Sequence, residues 1–141
     1  MSAQRPAVGK AAESPVYARG DGVETTLLIG QENCAGALLT SGLTRFPPGK
    51  KVPFHSHNCD EQVTVIAGSA LVEIDGEDPV AVGPRDTTYV PSGRSHRFVN
   101  TGDGPLEILW IYTTDHVTRT FTETGETVDH LSPGDRVTAA R

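Results

Sequence analysis

Residues 49–68, GKKVPFHSHNCDEQVTVIAG, decide how the chain is read. The run 52–57, VPFHSH, has strand character, and side chains along a strand alternate between faces. His55 and His57 therefore point one way, and Phe54 and Ser56 the other. Asn58, Cys59 and Asp60 form a turn cluster. Glu61 opens the next run, 61–66, on which Glu61, Val63 and Val65 share a face. Pairing of the two runs as a hairpin returns Glu61 to the imidazole side. His-x-His alone also occurs on ordinary core and surface strands. The acid after a short turn, between bounding glycines, points instead to a metal site. Two imidazoles and a carboxylate suit a divalent first-row ion rather than calcium. His96, far downstream, is the candidate fourth ligand.

These residues carry a family resemblance. The stretch fits the first cupin motif, G-x5-H-x-H-x3-E-x6-G, through Gly49, His55, His57, Glu61 and Gly68. The second motif, G-x5-P-x-G-x2-H-x3-N, is met by Pro91, Gly93, His96 and Asn100. Its first glycine is missing: Arg85 stands in that place, and Gly83 lies two residues too early. The chain thus resembles a small single-domain cupin. The resemblance implies an all-β fold, a small antiparallel barrel of jelly-roll type. It carries the family's metal ligands onto His55, His57, Glu61 and His96. It also implies one divalent transition metal per chain: Fe, Mn, Ni, Co or Zn.

The other segments agree with such a fold. The 141 residues suit one domain. Aromatics make up only 6%, so Val, Ile and Leu must supply most of the core. The 15 Gly and 10 Pro point to many turns and few long helices. Strand-like runs occupy 23–29, 37–40 and 43–46, the last two separated near Gly42. Runs 70–76 and 77–82 meet at Asp75-Gly76, a strong hairpin signal. Runs 87–90 and 95–100 follow, and the latter puts His96, Phe98 and Asn100 on one face. Run 106–112 is the most apolar and lacks clean alternation, so burial on both faces is expected. Roughly eight to ten short strands of this kind suit a sandwich or barrel. Residues 1–15 read as a mobile arm, 16–114 as the barrel, and 115–141 as a polar extension. That extension packs as an extra strand or lid, or stays loose. Its His116 and His130 read as solvated.

Charge and composition exclude several classes. A net charge of -6 argues against nucleic acid as a partner. No apolar run reaches membrane-spanning length. No apolar leader region opens the chain, so a cleaved signal peptide is not expected. Cys34 and Cys59 do not make a disulfide framework, and a reducing cytoplasm is the expected compartment. A homodimer is expected because sheet edges need covering, with outward-facing Ile66 available to help.

Three neutral imidazoles and one carboxylate leave a divalent ion with net positive charge and open positions. Such an ion serves as Lewis acid, water activator or redox centre, and it favours a small anionic, oxygen-rich substrate. The resemblance implies dioxygenase chemistry first, with isomerase, lyase, decarboxylase or polyketide-cyclase chemistry as alternatives. A non-catalytic module that binds a small ligand or metal is the other class, and a metal-free barrel the third. Phe46, Tyr89, Phe98, Trp110 and Tyr112 are candidate pocket walls. Cys59, Asp60, Arg45 and Arg97 are candidate polar groups, each with a simpler reading as turn thiol, solvated acid or surface charge. Gln62 alternates outward. No side chain is placed clearly enough to be named as general base, so the catalytic residues stay open.

Overall fold

The computed structural model describes residues 4–136; positions 1–3 of the expected arm and 137–141 of the expected extension lie outside the described residues. The described chain forms two six-stranded antiparallel sheets. In spatial order the first holds β1 (Val16–Gly20), β2 (Val23–Ile29), β3 (Thr40–Phe46), β10 (Leu106–Tyr112), β5 (Glu61–Ala67) and β8 (Thr87–Val90). The second holds β12 (Thr127–Asp129), β11 (Thr118–Phe121), β4 (His55–His57), β9 (His96–Asn100), β6 (Ala70–Ile74) and β7 (Val80–Val82). One short 3-10 turn, Ala11–Glu13, precedes β1. The inner faces meet over Val23, Leu27, Val63, Val65, Val72 and Leu106, the aliphatic core that the composition demands. This is the jelly-roll arrangement. Among the described residues no helix is long and apolar enough to cross a membrane.

The two metal-motif runs do not pair as a hairpin. β4 lies between β11 and β9, whereas β5 lies between β10 and β8. The turn at Asn58, Cys59 and Asp60 carries the chain from one sheet to the other, so Glu61 meets the imidazoles across the sandwich. Asn58 pins that turn: its Nδ2 donates to the His116 carbonyl at 2.9 Å, and its Oδ1 accepts from the Thr118 N–H at 2.9 Å. The strand also starts later than 52. Pro53 offers no N–H to a ladder, and β4 begins at His55.

Two further expectations need correction. β3 runs unbroken through Gly42. Gly42 is paired with Trp110 of β10, and a Cβ there would collide with the indole ring and the Thr26 carbonyl. The glycine makes room for Trp110 and does not turn the chain. β10 is not buried on both faces. Leu106, Ile108, Trp110 and Tyr112 are buried inward, while Glu107, Leu109 and Ile111 are half-buried on the outer face. Apolar residues on that outer face had hidden the alternation.

The Asp75-Gly76 hairpin forms with Ala70 opposite Val82, and Gly76 takes the positive φ of 85° that the turn requires. The C-terminal stretch adds β11 and β12 to the second sheet. β11 pairs directly with β4, setting Arg119 against His57 and Phe121 against His55.

Candidate metal centre

Neighbouring strands of the second sheet bring three imidazoles together. His55 and His57 project inward from β4, with Ser56 on the opposite face. β9 pairs with β4 at one position, His55 against His96. All three rings are buried, and their ligand atoms lie within 4.8 Å of one another. Two bonds of about 2.1 Å to a common ion allow separations up to roughly 4 Å. The cluster is therefore close to what a shared metal needs.

The backbone sets the tautomers. Nδ1 of His55 faces the Pro53 carbonyl at 2.7 Å, that of His57 the Thr118 carbonyl at 3.0 Å, and that of His96 the Arg94 carbonyl at 2.9 Å. A carbonyl only accepts, so each Nδ1 carries the proton and each Nε2 presents a lone pair. Outer hydrogen bonds of this kind orient metal-binding imidazoles. Glu61 enters from β5, with Oε1 3.0 Å from His96 Nε2 and 3.7 Å from His57 Nε2. Two bare acceptors 3.0 Å apart repel unless a proton or a metal ion lies with them. The donor set thus fits a divalent cation held by His55, His57, His96 and Glu61.

Electrostatics favour the metal-ready protonation states. Burial, then the Arg119 charge and the other imidazoles, push His55 well below its ordinary pKa. Burial takes His57 down to about 3, against the opposing pull of Glu61. For Glu61, burial raises the carboxyl, but the contact with His96, then His57 and the Arg119 guanidinium, outweigh it and hold it below its usual range. Burial lifts the Tyr112 phenol well above its ordinary value, so it stays protonated, with its oxygen 3.3 Å from His57 Nε2.

The cavity beside these groups measures about 30 Å³. It is walled by Phe46, Val52, Phe98, Ile108, Trp110 and Tyr112. Tyr89 is not among the walls: it is exposed and donates from its hydroxyl to Asp60. Asp60 also accepts from the Ser92 N–H at 2.9 Å and so braces a loop. Arg45 is exposed, and Arg97 pairs with Glu73 at 2.7 Å and covers the Phe54 ring. Neither arginine reaches the cavity. Cys59 is buried in the core, and burial raises its thiol to about 11, which leaves it unreactive near neutrality. Gln62 is exposed on the outer face and donates to Thr87.

Three cavity residues, and the acid that two of them share, escaped the sequence reading. His130, expected to be solvated, lies edge-on to Trp110 at 5.0 Å and to Tyr112 at 5.1 Å. Burial there holds it well below its ordinary pKa. His116 is exposed, 3.1 Å from Asp129. Arg19 and Arg119 also line the cavity, and Asp135 binds both. A signal existed for Arg119: period-two alternation puts it on the face of Phe121. Asp135 gave none, because its partners lie on distant strands.

Fold and site define a metal-ready double-sheet barrel, and the chain belongs to the cupin family: the cupin domain matches residues 42–112, half of its length. Among curated relatives it is 34% identical over 74 residues to dimethylsulfoniopropionate lyase DddQ of Ruegeria pomeroyi, covering 51% of this chain and 36% of that protein. It is 32% identical over 77 residues to auxin-binding protein 1 of Arabidopsis thaliana, covering 49% and 39%. The chain thus matches well under half the length of either relative. The solved structure of the Ruegeria pomeroyi lyase superposes with a TM-score of 0.67 at 28% identity, over 83% of this chain and 61% of that one. An oxalate decarboxylase structure gives 0.66 at 25% identity, over 74% and 29%.

Proposed function

We propose that the chain is a metal-dependent enzyme acting on a small anionic, oxygen-rich molecule. The observation that carries this reading is the convergence of three Nε2 lone pairs and the Glu61 carboxylate in a cavity with cationic walls. Bound there by His55, His57, His96 and Glu61, a divalent ion of the Fe, Mn, Ni, Co or Zn group supplies Lewis acidity to a coordinated oxygen. The chain's own residues do the rest. Phe46, Val52, Phe98, Ile108 and Trp110 exclude water and strengthen electrostatic interactions inside. Tyr112 offers a protonated hydroxyl beside the ligands. Arg19 and Arg119 add positive charge.

Lyase or decarboxylase chemistry at a carboxylate is the reaction class we favour. It is supported by the two relatives whose names carry such activities and such substrates. Dioxygenase chemistry is the second reading, favoured by a four-donor set that leaves positions open on an octahedral ion. The test begins with elemental analysis of wild type beside Glu61→Ala, purified without chelator. About one metal per chain in the wild type, lost or strongly reduced in the variant, is the expected result. Wild-type protein without metal, or equal metal in both, would overturn the reading. A panel of small carboxylates assayed with an oxygen electrode then separates the classes: product without oxygen uptake supports lyase or decarboxylase chemistry. Ligand bound and released unchanged would instead make the chain a binding module.

We further propose that it pairs with a second copy through the outer face of the first sheet, where Leu43, Leu109 and Ile111 are half-buried and Ile66 is 45% exposed. Native mass spectrometry at micromolar concentration should show the dimer; monomer alone would refute it. Two free thiols support a reducing compartment such as the cytoplasm.

A further inference from the structure

Two buried arginines stand beside the cavity, and one of them is short of hydrogen-bond partners. Arg19 is 3% exposed and Arg119 is 5% exposed, and both line it. Arg19 is fully engaged. Its Nε donates to the Asp135 carbonyl at 3.0 Å, its Nη1 to Thr25 Oγ1 at 2.9 Å, and its Nη2 lies 2.9 Å from Asp135 Oδ1. Arg119 is not. Its Nε lies 2.8 Å from Asp135 Oδ1 without an in-line hydrogen bond; among the described residues its two Nη groups find no hydrogen-bond partner, and neither is fully buried. Two guanidinium groups share the Asp135 carboxylate, and Glu61 is the acid that lines the cavity itself. Guanidinium N–H groups left without acceptors in an apolar cavity are costly and are normally matched by an acceptor. Its planar fork fits a carboxylate with two parallel hydrogen bonds.

We propose that Arg119 is the anchor for the carboxylate of a short-chain acid, with Asp135 and Arg19 as the residues that hold it in position. This rests on the metal-enzyme reading only in sharing its cavity. Arg19, Arg119 and Asp135 all lie outside the matched residues 42–112. The ligand choice is therefore made by the strands flanking the family's common region.

The test is isothermal titration calorimetry of the full chain, zinc-loaded and metal-free, with acetate and oxalate. Acetamide serves as neutral control and inorganic phosphate as competitor anion. The carboxylates should bind and acetamide should not. Arg119→Met should weaken binding by about tenfold or more, and Arg119→Lys should restore part of it. An Arg119→Met protein with wild-type near-ultraviolet circular dichroism and affinity within about twofold of wild type would overturn the proposal. So would phosphate binding more tightly than either carboxylate. A co-crystal of wild-type protein with oxalate tests the same point without a variant: a carboxylate on the Arg119 Nη atoms supports the assignment, and one seated elsewhere refutes it. Elemental analysis runs alongside. Arg119-dependent carboxylate binding by protein that takes up no metal would sink the metal-enzyme reading and leave this anchor standing. One metal per chain with Arg119-independent binding would do the reverse.

Discussion

Arg85 shows how a motif position can change identity and keep its conformation. Its φ is 76°, in the left-handed region where an ordinary side chain costs roughly 1–2 kcal/mol. The backbone still makes the turn that the motif's glycine would make: Arg85 N–H donates to the Val65 carbonyl at 2.8 Å, and Asp86 N–H to the Gly83 carbonyl at 3.0 Å. The strain is carried because those bonds close β5 onto the strand that follows. Arg85→Gly relieves it, while the freer unfolded chain takes back part of the gain. The net expectation is a stabilisation of about 0.5–1 kcal/mol, read as a higher urea midpoint at unchanged slope. A lower midpoint would mean that contacts of the arginine side chain outweigh the strain.

β9 is positioned from its far end. Asn100 is 2% exposed and closes the strand. Its Nδ2 donates among the carbonyls of Phe46 at 3.0 Å, Pro47 at 3.1 Å and Gly104 at 2.9 Å, while its Oδ1 accepts from the Gly102 N–H at 2.9 Å. Asn100→Ala leaves several buried backbone groups unpaired and should cost about 3 kcal/mol in urea unfolding. A loss below about 1 kcal/mol would show that the loop re-pairs with water. Position and role of this strand were legible in the sequence, because His96, Phe98 and Asn100 alternate within five residues. His55 and His57 were legible for the same reason. The route of Glu61 was not: the sequence shows a turn after His57, but which sheet each arm joins depends on β10 and β11, far along the chain. His130 was hidden for a related reason, since only the packing of Trp110 and Tyr112 makes its surroundings apolar.

Two ends of the chain are fastened by Asp135, through Arg19 on β1 and Arg119 on β11. Burial would raise this carboxyl, but the two guanidinium groups outweigh it and bring it down to about 2. A folded pKa below the unfolded value of 3.8 means the unfolded chain binds the proton more readily. The clamp therefore contributes fully above pH 3.8 and is lost as pH falls through about 2. His130 acts in the same direction at higher pH. Its folded pKa lies well below 6.5, so stability declines as pH drops under that value. The melting temperature should hold from about pH 7 to 9 and fall in two stages on acidification. Asp135→Asn should shrink the lower stage, leaving the part that belongs to Glu61, and cost about 3–5 kcal/mol at pH 7, because two like charges remain buried without their shared counter-ion. A single stage unchanged by the substitution would contradict the clamp.

Asp135 also sets an order of events during synthesis. The histidines and Glu61 are all in hand once residue 96 has left the ribosome, and their sheets can begin to pair. Arg19, by contrast, waits through 116 further residues for its partner. Contacts of such long sequence separation form late. A nascent chain thus carries its imidazoles long before it has a seat for an acid. Protease clipping between β12 and residue 135 would part Asp135 from the finished protein and loosen the anion anchor, while β11 stays beside β4 and the histidine cluster.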